Sequence, residues 1–377
     1  MRQIPFNQFA LTGNELKYIE QAIHSDQIAA DGLFSKRCQT LLETELNANK
    51  VLLTSSGTAA LEMAAILANI KPGDEVIMPS YTFVSTANAF VSRGGRCVFV
   101  DIRPDTQNIN EQLIEQAISD KTVAIVPVHY AGISCDMNII MGLAQKYNLL
   151  VIEDAAHGLF SDYQGQALGT IGDIGCFSFH ETKNYSCGEG GAIVLNNKGF
   201  VERAEIIREK GTDRSKFFRG EVDKYTWKDI GSSFLMSELQ AAFLYANLEQ
   251  AQKIKEKRCA IWSAYYQALK PLENKGLISL PVIPDSCEQN GHIFYLKTQS
   301  AEIRDQLLAY LKQNKVHAVF HYLPLHNTEM GKQHGEFIGN DQHTLETSRL
   351  IVRLPLYFSL QDAEVKHITK TIESFYA

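Results

Sequence analysis

Residues 171–191 read IGDIGCFSFHETKNYSCGEGG, and the way they fold constrains how the rest of the chain can be arranged. Gly175 to His180 mixes apolar and small polar residues as a strand leaving a buried sheet does. Ala192 to Leu195 is a short apolar run entered through Gly188, Gly190 and Gly191, where the backbone can turn with no side chain to clash. Lys183 therefore falls on a loop at the mouth of a core, between two expected strands. Read alone it is an ordinary solvated lysine. Held in a pocket, the same amine is a candidate nucleophile.

Working outward, Leu149 to Ile152 is a continuous apolar run that ends in Glu153 and Asp154 and continues through Ala155, Ala156 and His157. Such a run suits a parallel strand buried on both faces. Ligands of α/β sheets bind beyond the carboxyl ends of such strands, so Asp154 and Lys183 are expected to face one crevice. An amine that forms a Schiff base and a carboxylate that keeps a pyridine nitrogen protonated are the two groups a protein must add to pyridoxal phosphate.

The flanking segments repeat the pattern. Val51 to Leu61 reads as a strand, a small-residue turn and the start of an alanine-rich helix. Unpaired N–H groups at that start can hold a phosphate on Gly57 and Thr58, although serine and threonine there are also ordinary helix caps. A turn at Pro72-Gly73-Asp74 precedes the strand Glu75 to Pro79 and then Ser80-Tyr81-Thr82-Phe83. Strands are also expected around Cys97 to Val100 and from Val123 to Val128, the latter ending in His129 and Tyr130, and a helix from Met137 to Tyr147. A further helix runs from Glu15 to about His24. Residues 26–35 are a connector, and a second helix carries Cys38, Leu41, Leu42 and Leu46. The alternation indicates an α/β fold, a mostly parallel sheet with helices on both faces.

Beyond Lys183 the pattern predicts a charged helix from Phe200 to about Lys210 and then a basic stretch. Arg208, Lys210, Arg214, Lys216 and Arg219 are interleaved there with Phe217, Phe218, Tyr225 and Trp227. Cations and aromatic rings together suit a nucleotide diphosphate; a solvated charged face is the plain alternative. A long helical pattern from Glu238 to Leu269 leads into a Pro-Leu-Glu-Asn-Lys-Gly loop. The composition then shifts to short strands at 291–296 and 318–322 and a helix from Ile303 to Gln313. Two domains are expected, 1–250 and a smaller α+β unit at 251–377.

Several motifs occur in order: TSSGTAALEMA, PGDEVIMPSYTFVSTANAF, VPVHYAG, VIEDAAHG, CFSFHETKNYS, REKGT, DIGSSFLMSELQAA and HYLPLH. Over nearly its whole length the chain resembles the nucleotide-sugar aminotransferases of the DegT/DnrJ/EryC1/StrS type, whose fold is type I of the pyridoxal-phosphate enzymes. The resemblance implies that Lys183 carries the cofactor, that Asp154 faces the pyridine nitrogen, and that Gly57, Thr58 and Ser178 hold the phosphate. It places Phe83 and Ala156 on opposite faces of the ring, with His157 near the phenolic oxygen. His321, Tyr322 and His326, with Lys210, Arg214 and Arg219, are then expected at the substrate. It also implies a homodimer with shared active sites and L-glutamate as donor. The acceptor it implies is dTDP-4-keto-6-deoxyglucose, aminated at C4 to dTDP-4-amino-4,6-dideoxygalactose for a surface polysaccharide of the enterobacterial common antigen type. At Ser233 the chain departs from a common family form, in which asparagine reaches the partner's cofactor phosphate; serine donates a hydrogen bond over a shorter reach. The same apparatus also serves amination at C3 or with equatorial outcome at C4, and a regulatory protein that binds the cofactor without turnover is the reading from another class. Relatives with histidine in place of the lysine are dehydratases, which Lys183 argues against.

Composition narrows the rest. At 377 residues, with 45% hydrophobic and 21% charged, the chain is an ordinary globular protein long enough for two cores. A net charge of -7 argues against general nucleic-acid binding. Seven cysteines without a CxxC pair suggest reduced thiols, and His321 and His326 lack the spacing and third ligand of a metal site, so none is expected. The first ten residues lack a signal-type apolar segment and no run reaches membrane-spanning length, so a cytoplasmic location is the expectation.

Overall fold

A computed structural model describes residues 3–377. The fold follows from strands buried on both faces. Along Glu75–Pro79, Val76 and Met78 enter one core while Ile77 enters another, the two-residue alternation of a pleated strand covered on both sides. Helices Gly57–Leu67, Val84–Val91 and Val201–Arg208 cover one face. Leu33–Glu45, Met137–Tyr147 and Glu238–Leu248 cover the other.

Eight strands form the main sheet, in the order 51–54, 191–195, 174–178, 150–154, 122–125, 75–79, 96–100 and 335–337. Gly191–Leu195 alone runs antiparallel to its neighbours, pairing Cys176 with Ile193 on one side and Leu52 with Ile193 on the other. Gly191 is required there: a Cβ would stand 2.5 Å from the Gly57 nitrogen. Because the other strands share one direction, Thr54, Pro79, Asp154 and Ser178 all end at the same edge. The loop carrying Lys183 begins there, closed by Phe179 N–H to the Gly190 carbonyl at 2.8 Å and Glu181 N–H to the Gly188 carbonyl at 2.9 Å.

A second core lies beneath a three-stranded antiparallel sheet of 278–279, 294–298 and 351–354, covered by helices Ala251–Asn274, Ala301–Gln313 and Asp362–Phe375. Ile4 belongs to this core through bonds between its backbone and residues 315 and 317. Gly335–Phe337, late in the chain, returns to the main sheet as its edge strand.

Several elements differ from the sequence reading. The pattern from Glu238 to Leu269 is two helices, Glu238–Leu248 and Ala251–Asn274, because the chain passes from one core to the other: Leu244 and Leu248 pack in the first, Ile261 and Leu269 in the second. The expected loop at Pro271 is instead the last turn of the second helix, which Leu272 extends into its core and Gly276, at φ +70°, ends. The charged helix after Phe200 stops at Arg208, since Lys210 adopts φ +63°. Residues 318–322 form no strand, only a bridge from Val319 to Arg353. All seven cysteines are free. Among the described residues no helix is long and apolar enough to cross a membrane.

Candidate active site

The convergent strand ends open into a cavity of about 650 Å³ that is lined from both sheets. Its floor is Asp154, 5% exposed, at the end of the 150–154 strand. The Asp154 carboxylate accepts from the Thr86 hydroxyl at 2.7 Å and from the Ala156 N–H at 3.1 Å, so both oxygens are oriented. Lys183 faces the same cavity. Burial lowers its pKa to about 8; Asp154 works against this shift and Arg353 adds to it. A lysine so tuned presents a large neutral-amine fraction at mildly alkaline pH.

At one end of the cavity the N-terminus of the helix Gly57–Leu67 makes a cradle. Ser56 spends its side chain on the Ala59 N–H at 3.0 Å, leaving the first-turn amides of Gly57 and Thr58 toward the cavity. A Cβ at position 57 would stand 2.8 Å from the Cβ of Ser178, so only glycine lets that strand end approach. Thr58 is fixed by a 2.8 Å bond to Ser85. Phe83 holds a cavity-lining position at the cap of the next helix and is 57% exposed, a large ring with a free face.

Histidines and tyrosines complete the opposite wall. Burial keeps His157, His292 and His321 far below the ordinary histidine pKa, so all three are neutral hydrogen-bonding groups. Nδ1 of His157 accepts from the Ala131 N–H at 3.3 Å, which puts its ring proton on Nε2. The Tyr130 hydroxyl bonds Nδ1 of His321 at 3.0 Å, and the Tyr81 hydroxyl donates to the His321 carbonyl. Tyr322 packs edge-on against Tyr81 and Tyr130. Lys183 and Arg353 are the lysine and arginine of the cavity lining.

A cradle of amides and hydroxyls at one end, a carboxylate at the floor, an amine beside it and an exposed ring on the wall fit a phosphorylated pyridine aldehyde. The comparisons with known proteins agree: the model of the DegT/DnrJ/EryC1/StrS aminotransferase family matches residues 10–373. This chain belongs to that family. GDP-perosamine synthase of Escherichia coli O157:H7 is 31% identical to it over 381 residues, spanning 100% of both chains. Spore coat polysaccharide biosynthesis protein SpsC of Bacillus subtilis is 30% identical over 335 residues, spanning 87% of this chain and 85% of its own. The protein Spr1654 of Streptococcus pneumoniae, in its PLP form, superposes with a TM-score of 0.90 at 25% identity, covering 99% of this chain and 98% of that one. The protein is a sugar aminotransferase of the type I fold, and its cofactor is pyridoxal phosphate.

Of the residues singled out from the sequence of this aminotransferase, Gly57, Thr58, Phe83, Asp154, Ala156, His157, Ser178, Lys183, His321 and Tyr322 share the cavity. The others lie elsewhere in the same chain. His326 bonds Ser80 Oγ through Nδ1 at 2.7 Å and Asp341 through Nε2 at 3.0 Å, outside the cavity lining. Lys210 and Arg214 pair with Glu209, at 3.2 and 3.0 Å, and Arg219 with Glu205 and Glu221, at 2.9 and 2.7 Å. Ser233 is exposed and bridges to Glu209. The sequence reading passed over Thr86, His292 and Arg353, which also line the cavity. Arg353 had a signal, as a lone charge in the apolar run Ile351-Val352-Arg353-Leu354. Thr86 and His292 had none, because only the folded chain brings them to the site.

Proposed function

We propose that the enzyme moves the amino group of L-glutamate to C4 of dTDP-4-keto-6-deoxyglucose, giving dTDP-4-amino-4,6-dideoxygalactose for a surface polysaccharide. One observation carries the chemistry: Lys183, with its pKa lowered to about 8, shares a cavity with the doubly hydrogen-bonded Asp154. Pyridoxal phosphate supplies, when bound, an aldehyde that takes up amines and a conjugated ring that draws off the electron pair left by a departing proton. Gly57, Thr58 and Ser178 hold its phosphate, and Phe83 and Ala156 enclose its ring. Asp154 keeps the pyridine nitrogen protonated. Lys183 anchors the aldehyde carbon. The Lys183 amine would also move protons to and from the substrate carbon, a general acid–base role typically worth about 10²–10⁴ in rate. His157 donates from Nε2 toward the ring's phenolic oxygen.

The choice of a nucleotide-linked keto sugar rests on the ordered motifs and on the full-length likeness to GDP-perosamine synthase. That likeness also favours a second reading, in which the nucleotide is GDP. Purified enzyme should be incubated with glutamate and either dTDP-4-keto-6-deoxyglucose or its GDP-linked mannose-series counterpart, and the product analysed by NMR. An axial 4-amine on the dTDP sugar is expected. Turnover of the GDP sugar alone would replace the nucleotide, and amination at C3 would replace the position.

We place the enzyme in the cytoplasm, where nucleotide sugars and glutamate meet, as a homodimer in which Lys210, Arg214, Arg219 and Ser233 serve the partner's cavity.

A further inference from the structure

Beside Lys183 a buried hydrogen-bonded network joins the two cores. Its members are Asn184, 5% exposed, Asn290, 1%, and His292, 7%. The Asn184 amide nitrogen donates to the Asn290 carbonyl at 3.0 Å, and the Asn184 amide oxygen lies 2.8 Å from Nδ1 of His292. That oxygen can only accept, so Nδ1 of His292 carries the ring proton. The Asn290 side chain donates to the carbonyls of His157 and Leu159 at 2.8 Å each, while its amide oxygen accepts from the His292 N–H at 3.0 Å. Both ends of both amides are engaged, and a network so filled admits one arrangement. The rings of His157 and His292 lie 4.4 Å apart between centroids. Arg258 holds the far side through the carbonyls of Gly291 and His292, at 3.1 and 2.9 Å. Residues 290–292 then lead into strand 294–298 of the second sheet. By contrast, among the described residues the Lys183 amine has no hydrogen bond or ion pair, so its direction is set by the backbone that carries it.

We propose that Asn184 is a positioning residue for Lys183, and that the Asn290–His292 segment of the second core sets, through it, the line along which the Lys183 amine meets the cofactor. The inference rests on the reading of Lys183 as the cofactor's anchor. Attachment requires the neutral amine to bring its electron pair to the aldehyde carbon; a C–N bond forms, and the aldehyde oxygen leaves as water with the two amine protons. Such a step depends on direction, and a misplacement of about 1 Å can cost about 10²-fold. Because Asn290 also holds the His157 carbonyl, the network keeps Lys183 in register with the segment that follows Asp154.

The test is the rate at which cofactor-free enzyme takes up pyridoxal phosphate in a form that borohydride fixes to the chain, read beside the thermal midpoint of the cofactor-free protein and the half-reaction with glutamate. Asn184→Ala should slow attachment at least about tenfold and lower the limiting rate of the half-reaction, with the apparent Kd for glutamate within about threefold of wild type. Two replacements of His292 separate positioning from packing, and they decide even where Asn184→Ala does not fold. His292→Asn keeps a nitrogen donor in the place of Nδ1, whereas His292→Gln carries its amide to the place of Nε2 and leaves the Asn184 oxygen unpaired. Both lose the ring that packs beside His157, so their midpoints should fall alike. Attachment should nevertheless slow about tenfold in His292→Gln and stay within about threefold of wild type in His292→Asn. Attachment at the wild-type rate in Asn184→Ala overturns the proposal, as does equal slowing in the two His292 variants. In both of those outcomes borohydride still labels Lys183 in the wild type; a wild-type enzyme labelled elsewhere would overturn the anchor reading, and this inference with it.

Discussion

Lys183 and Arg353 line a cavity with no carboxylate bonded to either, whereas Lys210, Arg214, Lys216 and Arg219 on the surface each lie within 3.2 Å of a glutamate. The same kinds of cation are held in opposite states because water treats them differently. A surface pair contributes about 0–1 kcal/mol, so it forms readily and can be exchanged for a stronger anion. An uncompensated charge in a cavity raises the free energy of the empty protein, and binding an anionic ligand relieves it. The cavity is thus organised within one chain before any ligand arrives. On the proposed function, the basic stretch would act only when a phosphate displaces the glutamates.

The largest break in this comparison is Lys183→Ala. Turnover should fall by at least about 10², the lower bound for losing its proton-transfer role. Borohydride, which should fix the cofactor to the wild-type chain at Lys183, should fix none to the variant; labelling of the variant at one site would move the anchor to another lysine. Asp154→Asn comes next, since it keeps the shape and one oxygen to accept from the Ala156 N–H but removes the charge that the proposed function sets against the pyridine nitrogen. Cofactor should remain attached while the glutamate half-reaction slows by orders of magnitude. A rate within about threefold of wild type would give that nitrogen a different partner.

On the surface side the expected effect is smaller and confined to one substrate. Arg214→Ala or Arg219→Ala should raise the apparent KM for the keto sugar about tenfold, or roughly 1.4 kcal/mol, and leave the glutamate half-reaction unchanged. No change in either variant would leave the stretch a solvated face, and equal damage to both half-reactions would point to assembly or folding.

The smallest effect is on stability against pH. Lys183 in the folded, cofactor-free chain loses its proton near pH 8, whereas an unfolded lysine keeps it to about 10.5. Between those values the unfolded state binds more protons, so this residue's contribution to stability rises with pH; below about 8 its buried ammonium is a full penalty. Denaturant midpoints of the cofactor-free protein should therefore favour Lys183→Ala over wild type more at pH 7 than at pH 10. A constant difference would put the amine in solvent.

Much of the scaffold was legible in the chain because its strands are short apolar runs and its helices carry regular starts. Met137–Tyr147 and Leu150–Asp154 fall where pattern alone puts them, and Asp154 and Lys183 stand out as polar groups at the ends of apolar segments. The failures share a cause. The break after Leu248 and the helical turn through Pro271 depend on which core a side chain enters, and the bridge at Val319 depends on a strand more than thirty residues away.

The sequence by itself determined the layered α/β fold, the amine and the carboxylate, since these are written in local hydrophobic period and in the rare placement of charge beside it. Only the tertiary structure decided that strand 191–195 runs antiparallel and so turns the Lys183 loop back over the sheet edge. It also decided that Thr86 reaches Asp154 across 68 positions, and that Arg353 has a buried Nε with no hydrogen-bond partner. Local pattern reports what each residue prefers. Whether a charge is paired depends on which distant groups are brought within 3 Å of it, and that is settled by how the two sheets pack.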